Sequence, residues 1–310
     1  MGMLSHRQGW SLAVILAIFP CVFYASDTSD APPTTFRTGT SEVRIAFYAT
    51  DENNHLIEHV SADDFAVVDS GIVIRDFRSL TKTSETTLDV IVLVDASDSV
   101  APCFQQTLRD VLRLVSESAS SIPEDNVSVV TFAGLQSQVL CAGDCRVATK
   151  QERLLSLQPR GMTPLFDALT LTARFMTHRR TSGVRQVVIL FSDGNDNISM
   201  TSAQEAMSKL IAAGALLYTV DLNSSQPGAD TNSLLQQMTE ATGGRSIIPH
   251  DDTVDVLESI LADLRASYVV TYSLPSRAAG FHSLRLLPKH NLNLRFHCRR
   301  GYFYEESRTQ

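Results

Sequence analysis

The sequence predicts a doubly wound, Rossmann-like α/β domain joined to a small β-rich module assembled from its two flanks. Three observations predict it. Short apolar runs at Val90 to Val94, Val127 to Phe132, Val187 to Phe191 and Leu216 to Leu222 have the continuous character of parallel strands buried on both faces. Apolar residues recur at helical spacing beside them, as in Phe104, Leu108, Val111, Leu112 and Val115, and in Val254, Leu257, Leu261 and Leu264. On either side of this region the pattern changes to period-two alternation.

Taken in chain order, residues 1–26 read as a signal peptide or anchor. His6 and Arg7 precede a mostly apolar run from Trp10 to Ala25, and a polar linker at 27–35 carries Pro32 and Pro33. The run is short of the about 20 apolar residues a membrane span needs, so the expectation is export, secreted or periplasmic. An uncleaved anchor stays open because no clean small-x-small site precedes Asp27, and it is the only membrane contact expected. Cys21 follows Phe19 and Pro20, poor neighbours for lipid attachment.

Residues 36–85 form the first β-rich flank. Val43, Ile45 and Phe47 alternate with polar residues, Phe65 and Val67 do so again, and the breaks fall at Asp51 to Asn54 and at Ser70 and Gly71. Residues 86–266 hold the α/β pattern, in which right-handed crossovers place a ligand site at the carboxyl ends of the strands. Residues 267–310 return to alternation at Tyr268, Val270 and Tyr272, then Leu284 and Leu286, then Leu292, Leu294 and Phe296. Neither flank can bury an apolar face alone, so the two are expected to pack together.

With 310 residues, 44% hydrophobic and 19% charged, the chain can bury a sizeable core. Its net charge of -8 argues against nucleic acid and against acidic membrane surfaces. Excluding Cys21, the cysteines are Cys103, Cys141, Cys145 and Cys298. An exported protein permits two disulfides in three connectivities. Cys141 and Cys145 are the natural local pair, which leaves Cys103 with Cys298.

The chemistry-bearing residues sit where the fold opens its crevice. The first buried strand ends in Asp95-Ala96-Ser97-Asp98-Ser99, a D-x-S-x-S pattern that chance alone puts in on the order of one chain in ten. Two further segments raise its meaning: Gly161-Met162-Thr163-Pro164-Leu165-Phe166-Asp167 opens a helix, and Phe191-Ser192-Asp193-Gly194 ends another strand. These three separated pieces, in this order, resemble the metal ion-dependent adhesion site of von Willebrand factor A domains. The resemblance implies that Ser97, Ser99 and Thr163 ligate directly, that Asp95 and Asp193 act largely through bound waters, and that an open coordination position takes a carboxylate from a protein partner. Hydroxyls, carboxylates and water are hard donors that suit Mg2+ or Mn2+ in preference to Ca2+. The competing structural reading has Ser97 and Ser99 capping a helix that begins near Pro102.

The flanks extend the likeness. Ala62-Asp63-Asp64-Phe65 with Val67 to Gly71, Leu264 to Tyr268, and Arg300-Gly301-Tyr302 resemble segments of secreted VWFA-related proteins of the acidobacterial type.

No catalytic residue is predicted. His55-Leu56-Ile57-Glu58-His59 spells H-x-x-E-H, but the motif needs a helix to present both histidines, and here it follows a turn. Serine-hydrolase, P-loop and dinucleotide fingerprints do not occur. Asp193 to Asn197 has a misplaced glycine for a calcium loop, Asp196 reads as a solvated loop residue, and Asp221 reads as a helix cap. A metal-dependent hydrolase and an inert scaffold remain as the alternatives to a binding module.

Overall fold

Period-two alternation in the first flank becomes β1 (Glu42–Thr50), β2 (Phe65–Asp69), β3 (Ile72–Ile74) and β4 (Ser79–Lys82). A tight turn at Ser70 and Gly71, both at positive φ, joins β2 to β3, the geometry a two-residue hairpin needs to follow strand twist. The computed structural model describes residues 42–82, 87–120, 122–179, 181, 184–222, 232–247, 256–276 and 278–304. The export segment, the linker, Cys21, residues 36–41, Val254 and the Leu257 side chain lie outside the described residues.

The α/β region follows as β5 (Thr87–Asp95), α1 (Phe104–Glu117), β6 (Val127–Ala133), β7 (Gln136–Ala142), α2 (Ala148–Leu155), α3 (Leu165–Arg179), β8 (Val184–Ser192), α4 (Ala203–Ala213), β9 (Leu216–Asp221), α5 (Asn232–Thr242), β10 (Ser246–Ile247) and α6 (Val256–Arg265). The second flank adds β11 (Tyr268–Ser273), β12 (Gly280–Pro288), β13 (Arg295–Cys298) and β14 (Gly301–Tyr304).

A six-stranded sheet of order β10-β9-β8-β5-β6-β7 forms the centre of the α/β region. All its neighbouring strands are parallel except β6 and β7. The continuous apolar runs divide their side chains between two cores, as strand geometry requires. Val90, Val92 and Val94 of β5 and Val187, Ile189 and Phe191 of β8 meet α1 and α6, through Phe104, Leu108, Ile260 and Leu264. Ile91, Leu93, Val188 and Leu190 point the other way, toward Leu165, Leu169, Leu210 and Met238 of α3, α4 and α5. Each fully buried aliphatic side chain contributes about 1.5–3 kcal/mol, and this strand pair contributes to both cores at once.

One expectation needs refining. The run Val127 to Phe132 is followed by an antiparallel edge strand and not by a helix. Gln136-Ser137-Gln138 is polar because β7 lies at the sheet's edge, so no apolar run marks it. Leu292, expected in a strand, lies exposed in the turn before β13.

The flanking strands do pack together. β1 pairs with β11 and β13, and β11 with β4, while β12 pairs with β2 and β14, and β2 with β3. The result is two four-stranded sheets. Ile45, Phe47, Phe65, Val67, Val270, Tyr272, Leu284 and Leu286 are buried between them. Within this core Asp69 accepts hydrogen bonds from Tyr272 Oη at 2.7 Å and Tyr302 Oη at 2.8 Å, tying strands of both sheets to one carboxylate.

A disulfide joins Cys141 to Cys145, whereas Cys103 and Cys298 are free. The expected second disulfide is therefore not present. Cys103 lies before α1 and Cys298 ends β13 in the flanking module, where burial pushes its thiol up to about 12.

Candidate metal centre

The strand order reverses at β5: β6 lies on one side of it, and the chain then crosses to β8 on the other. That reversal opens a crevice beyond the carboxyl ends of β5 and β8. Asp95 is the last residue of β5 and Ser192 the last of β8, so both stand at its floor.

Asp95 is fully buried. Its Oδ1 accepts a 3.0 Å hydrogen bond from Ser97 N, and its Oδ2 accepts one of 2.9 Å from Ser192 Oγ. Burial raises its carboxyl to about 6, against the pull of those hydrogen bonds, and nearby Asp193 pushes it the same way. Ser97 precedes a single 3-10 turn at Asp98–Val100, and its hydroxyl does not cap it. Neither does a side chain cap α1, whose N-cap position is Cys103. The capping reading of Ser97 and Ser99 therefore fails. Their hydroxyls point at each other instead, with 3.0 Å between Oγ atoms.

Thr163 arrives from the opposite wall. Gly161, at φ 93°, turns the chain where any other residue is strained. Its carbonyl accepts from Asp98 N at 2.9 Å, and Arg160 N donates to Ala96 O at 2.7 Å, stitching this segment to the serine loop. Thr163 N donates to Asn197 Oδ1 at 2.8 Å, and Asn197 N donates back to Thr163 O at 3.1 Å. Asp193 follows Ser192 and accepts from Asn195 N at 3.0 Å and from Asn195 Nδ2 at 2.9 Å.

Hydrogen bonds and short runs of chain thus link the segments that carry the five sequence-predicted residues, with Ser99 joined through Ser97. The links run from Asp95 through Ser192 and Asp193 to the Asn195–Asn197 loop, across to Thr163 and Gly161, and back through Asp98 to Ser97. Sequence reasoning missed Ser192, Asn195 and Asn197, which carry several of these links. It also misread Asp196. That side chain is half-buried and accepts from Phe166 N and Ser199 Oγ at the start of α3. Asp167 in turn accepts from Met200 N and Thr201 N. Asp221 is buried opposite Ser192, and the segment it was expected to cap lies outside the described residues. His55 and His59 are exposed on an irregular segment, and His55 bonds Asp51, so H-x-x-E-H offers no paired ligands.

The donor set fits a hard cation. The two serine hydroxyls are 3.0 Å apart in their mutual hydrogen bond, a spacing that two oxygens bound side by side at about 2.1 Å on an octahedral ion could keep. Among the described residues the buried Thr163 Oγ1 has no hydrogen-bond partner, a loss of about 1–3 kcal/mol if nothing meets it. Other buried hydroxyls, such as Thr170 Oγ1, also lack a partner. Thr163 differs in having its backbone pinned on both sides beside the serine loop. Among the described residues no group of three or more His, Cys, Asp and Glu could hold a metal; this set contains two carboxylates, and hydroxyls make up the rest.

The von Willebrand factor type A domain matches residues 89–262, from the first buried strand to the last helix. The chain belongs to this family. Among curated relatives, the magnesium-chelatase 67 kDa subunit of Chlorobaculum parvum is 31% identical over 114 residues, covering 36% of this chain and 18% of that protein. The magnesium-chelatase 60 kDa subunit of Rhodobacter capsulatus is 28% identical over 111 residues, covering 36% of this chain and 20% of that one. The matched part is therefore about a fifth of these relatives' own length. Among solved structures, BatB from Bacteroides thetaiotaomicron has a TM-score of 0.44 at 19% identity, covering 57% of this chain and 97% of that one. Manganese-loaded TRAP protein from Plasmodium vivax has a TM-score of 0.43 at 16% identity, covering 78% and 100%. Among the described residues no helix is long and apolar enough to cross a membrane.

Proposed function

We propose that this von Willebrand factor A domain holds one divalent cation, Mg2+ or Mn2+, on Ser97, Ser99 and Thr163, with Asp95 and Asp193 acting through water, and binds a protein partner there. When bound, the cation supplies a Lewis-acidic position for a partner carboxylate. The observation that supports this reading is the buried Thr163 hydroxyl, unmet among the described residues, on a segment that the Asp98 N to Gly161 O and Arg160 N to Ala96 O hydrogen bonds stitch to the serine loop. Asp95 orients the serine loop by accepting from Ser97 N, and Asn197 sets the depth of Thr163.

The role is adhesive and not catalytic, in an exported protein of the acidobacterial VWFA-related type. Residues 1–26 serve as signal or anchor, 27–35 as linker, 86–266 as the A domain, and 36–85 with 267–310 as the module that carries it. A second reading draws on the chelatase subunits: a domain of this kind can also serve as a docking part within an enzyme assembly.

Calorimetry with Mg2+ on the wild type and Asp95→Ala tests the site, and partner capture from the exported compartment with and without chelator tests its use. Heat lost in Asp95→Ala, with capture abolished by chelator, is the expected result. Equal heats, or capture indifferent to chelator, leave the inert scaffold as the better account.

A further inference from the structure

A cavity of about 600 Å3 lies where the flanking module meets the A domain, and it shares no residue with the metal crevice. β1 and β13 line one side of it, and α5, the start of β10 and α6 line the other. Clefts of this size between folded units commonly take small molecules. Tyr48 and His297 stack ring on ring in its lining, with 4.6 Å between centroids and 7° between planes, and Leu56 adds an apolar side chain. Burial holds His297 below the ordinary histidine value, and Arg245 and Arg295 push it the same way while Glu240 opposes them. The imidazole is therefore neutral at physiological pH, and all three charged groups stand within electrostatic reach of one ring.

The charges in the lining decide what kind of molecule fits. Arg245 gives its Nε and Nη2 to the buried Asp263, at 2.7 and 3.2 Å, and keeps Nη1 over. Glu240 accepts from Gln236 Nε2 at 3.0 Å and from Arg300 Nη2 at 2.9 Å. Both lining carboxylates are thus matched by an arginine, and Arg295 is the charge left without a counterion among the described residues. One neutral donor is left as well. Tyr48 is 3% exposed, and its hydroxyl has no hydrogen-bond partner among the described residues, an unfavourable state that an acceptor relieves. Tyr48 Oη, Arg245 Nη1 and Arg295 all donate, and the unbalanced charge is positive.

We infer that this cavity binds a small organic acid with a flat apolar body and one anionic group. The anion takes the forked guanidinium of Arg295 and the free edge of Arg245 and gives the Tyr48 hydroxyl an acceptor, while the body lies against Tyr48, His297 and Leu56. A single negative charge balances the single positive one, and a second would meet Glu240 and Asp263. The site stands apart from the cation reading and does not depend on it.

The test uses the full chain in chelator, which takes the metal crevice out of the measurement. Its probes are two fluorescent dyes with the same rings: anilinonaphthalene sulfonate, an anion, and phenylnaphthylamine, which lacks the sulfonate and reports plain apolar adsorption. The anion should bind saturably and about tenfold or more tightly than the neutral dye. Arg295→Gln should bring the anion down toward the neutral dye's level and leave the neutral dye unchanged. Tyr48→Phe should weaken the anion severalfold without lowering Tm, since it removes a hydroxyl that bonds nothing in the fold. Absence of saturable anion binding, equal binding of the two dyes, or anion binding indifferent to both variants overturns the inference.

Discussion

Replacing Asp95 by Asn should make the metal-free protein more stable, although it removes a residue at the centre of the site. Asp95 is buried, and its carboxyl is raised from 3.8 in a free chain to about 6. Between those values the folded protein binds more protons than the unfolded one, so stability falls as pH rises from about 4 to about 6 and stays low above it. The difference is worth about 3 kcal/mol at neutral pH. Asparagine keeps the shape and the acceptor for Ser97 N but presents an amide to Ser192 Oγ, which must turn its hydroxyl. That costs about 1 kcal/mol. The net gain is about 2 kcal/mol at pH 7.5, or about 4 to 8 °C in Tm.

The assay is urea unfolding of wild type and Asp95→Asn in chelator at pH 7.5 and at pH 4. The variant should lead at pH 7.5, and the two curves should converge near pH 4, where the folded wild-type carboxyl is protonated and the unfolded one about half so, leaving little of the penalty. Mg2+ at a hundred times its dissociation constant should add about 2.7 kcal/mol to the wild type alone, closing or reversing the gap. A variant no more stable than wild type in chelator at pH 7.5, with an unchanged urea dependence, would refute the idea that an uncompensated buried charge is held here for the cation.

Asn197→Ala removes the acceptor of Thr163 N and should lower Mn2+ affinity about tenfold while costing about 1 kcal/mol of stability; calorimetry and thermal melts separate the two effects. Asp69→Ala strips two buried tyrosine hydroxyls of their acceptor and should cost about 2–6 kcal/mol, about 1–3 for each; thermal melts showing Asp69→Ala as stable as wild type would count against that cause. Breaking the Cys141–Cys145 disulfide should cost only about 1–3 kcal/mol because the loop it closes is short, and alkylation in denaturant under non-reducing conditions, which exposes the buried Cys298, followed by mass spectrometry should find Cys103 and Cys298 labelled and this pair protected.

The central strands were legible because β5 and β8 are buried on both faces, and burial on both faces writes itself as continuous Val, Ile and Leu. The pairing of the flanks was legible for a related reason: alternating strands with one apolar face need a second such face, and the sheet of β1 and β11 found it on the sheet of β2 and β12. Asp95, Ser97, Ser99, Thr163 and Asp193 were legible as candidates because their spacing at strand ends matched a pattern. Edge strand β7 was not, since half its surface faces water and its polar residues look like a loop. The residues that close the site were not legible either. Ser192 reaches Asp95 across 97 positions and Asn197 reaches Thr163 across 34. Local composition carries no trace of such contacts: a serine or asparagine in a polar loop has the same neighbours in sequence whether it meets water or a buried backbone. Sheet order decides which, because only the placement of β8 beside β5 brings those loops over one another.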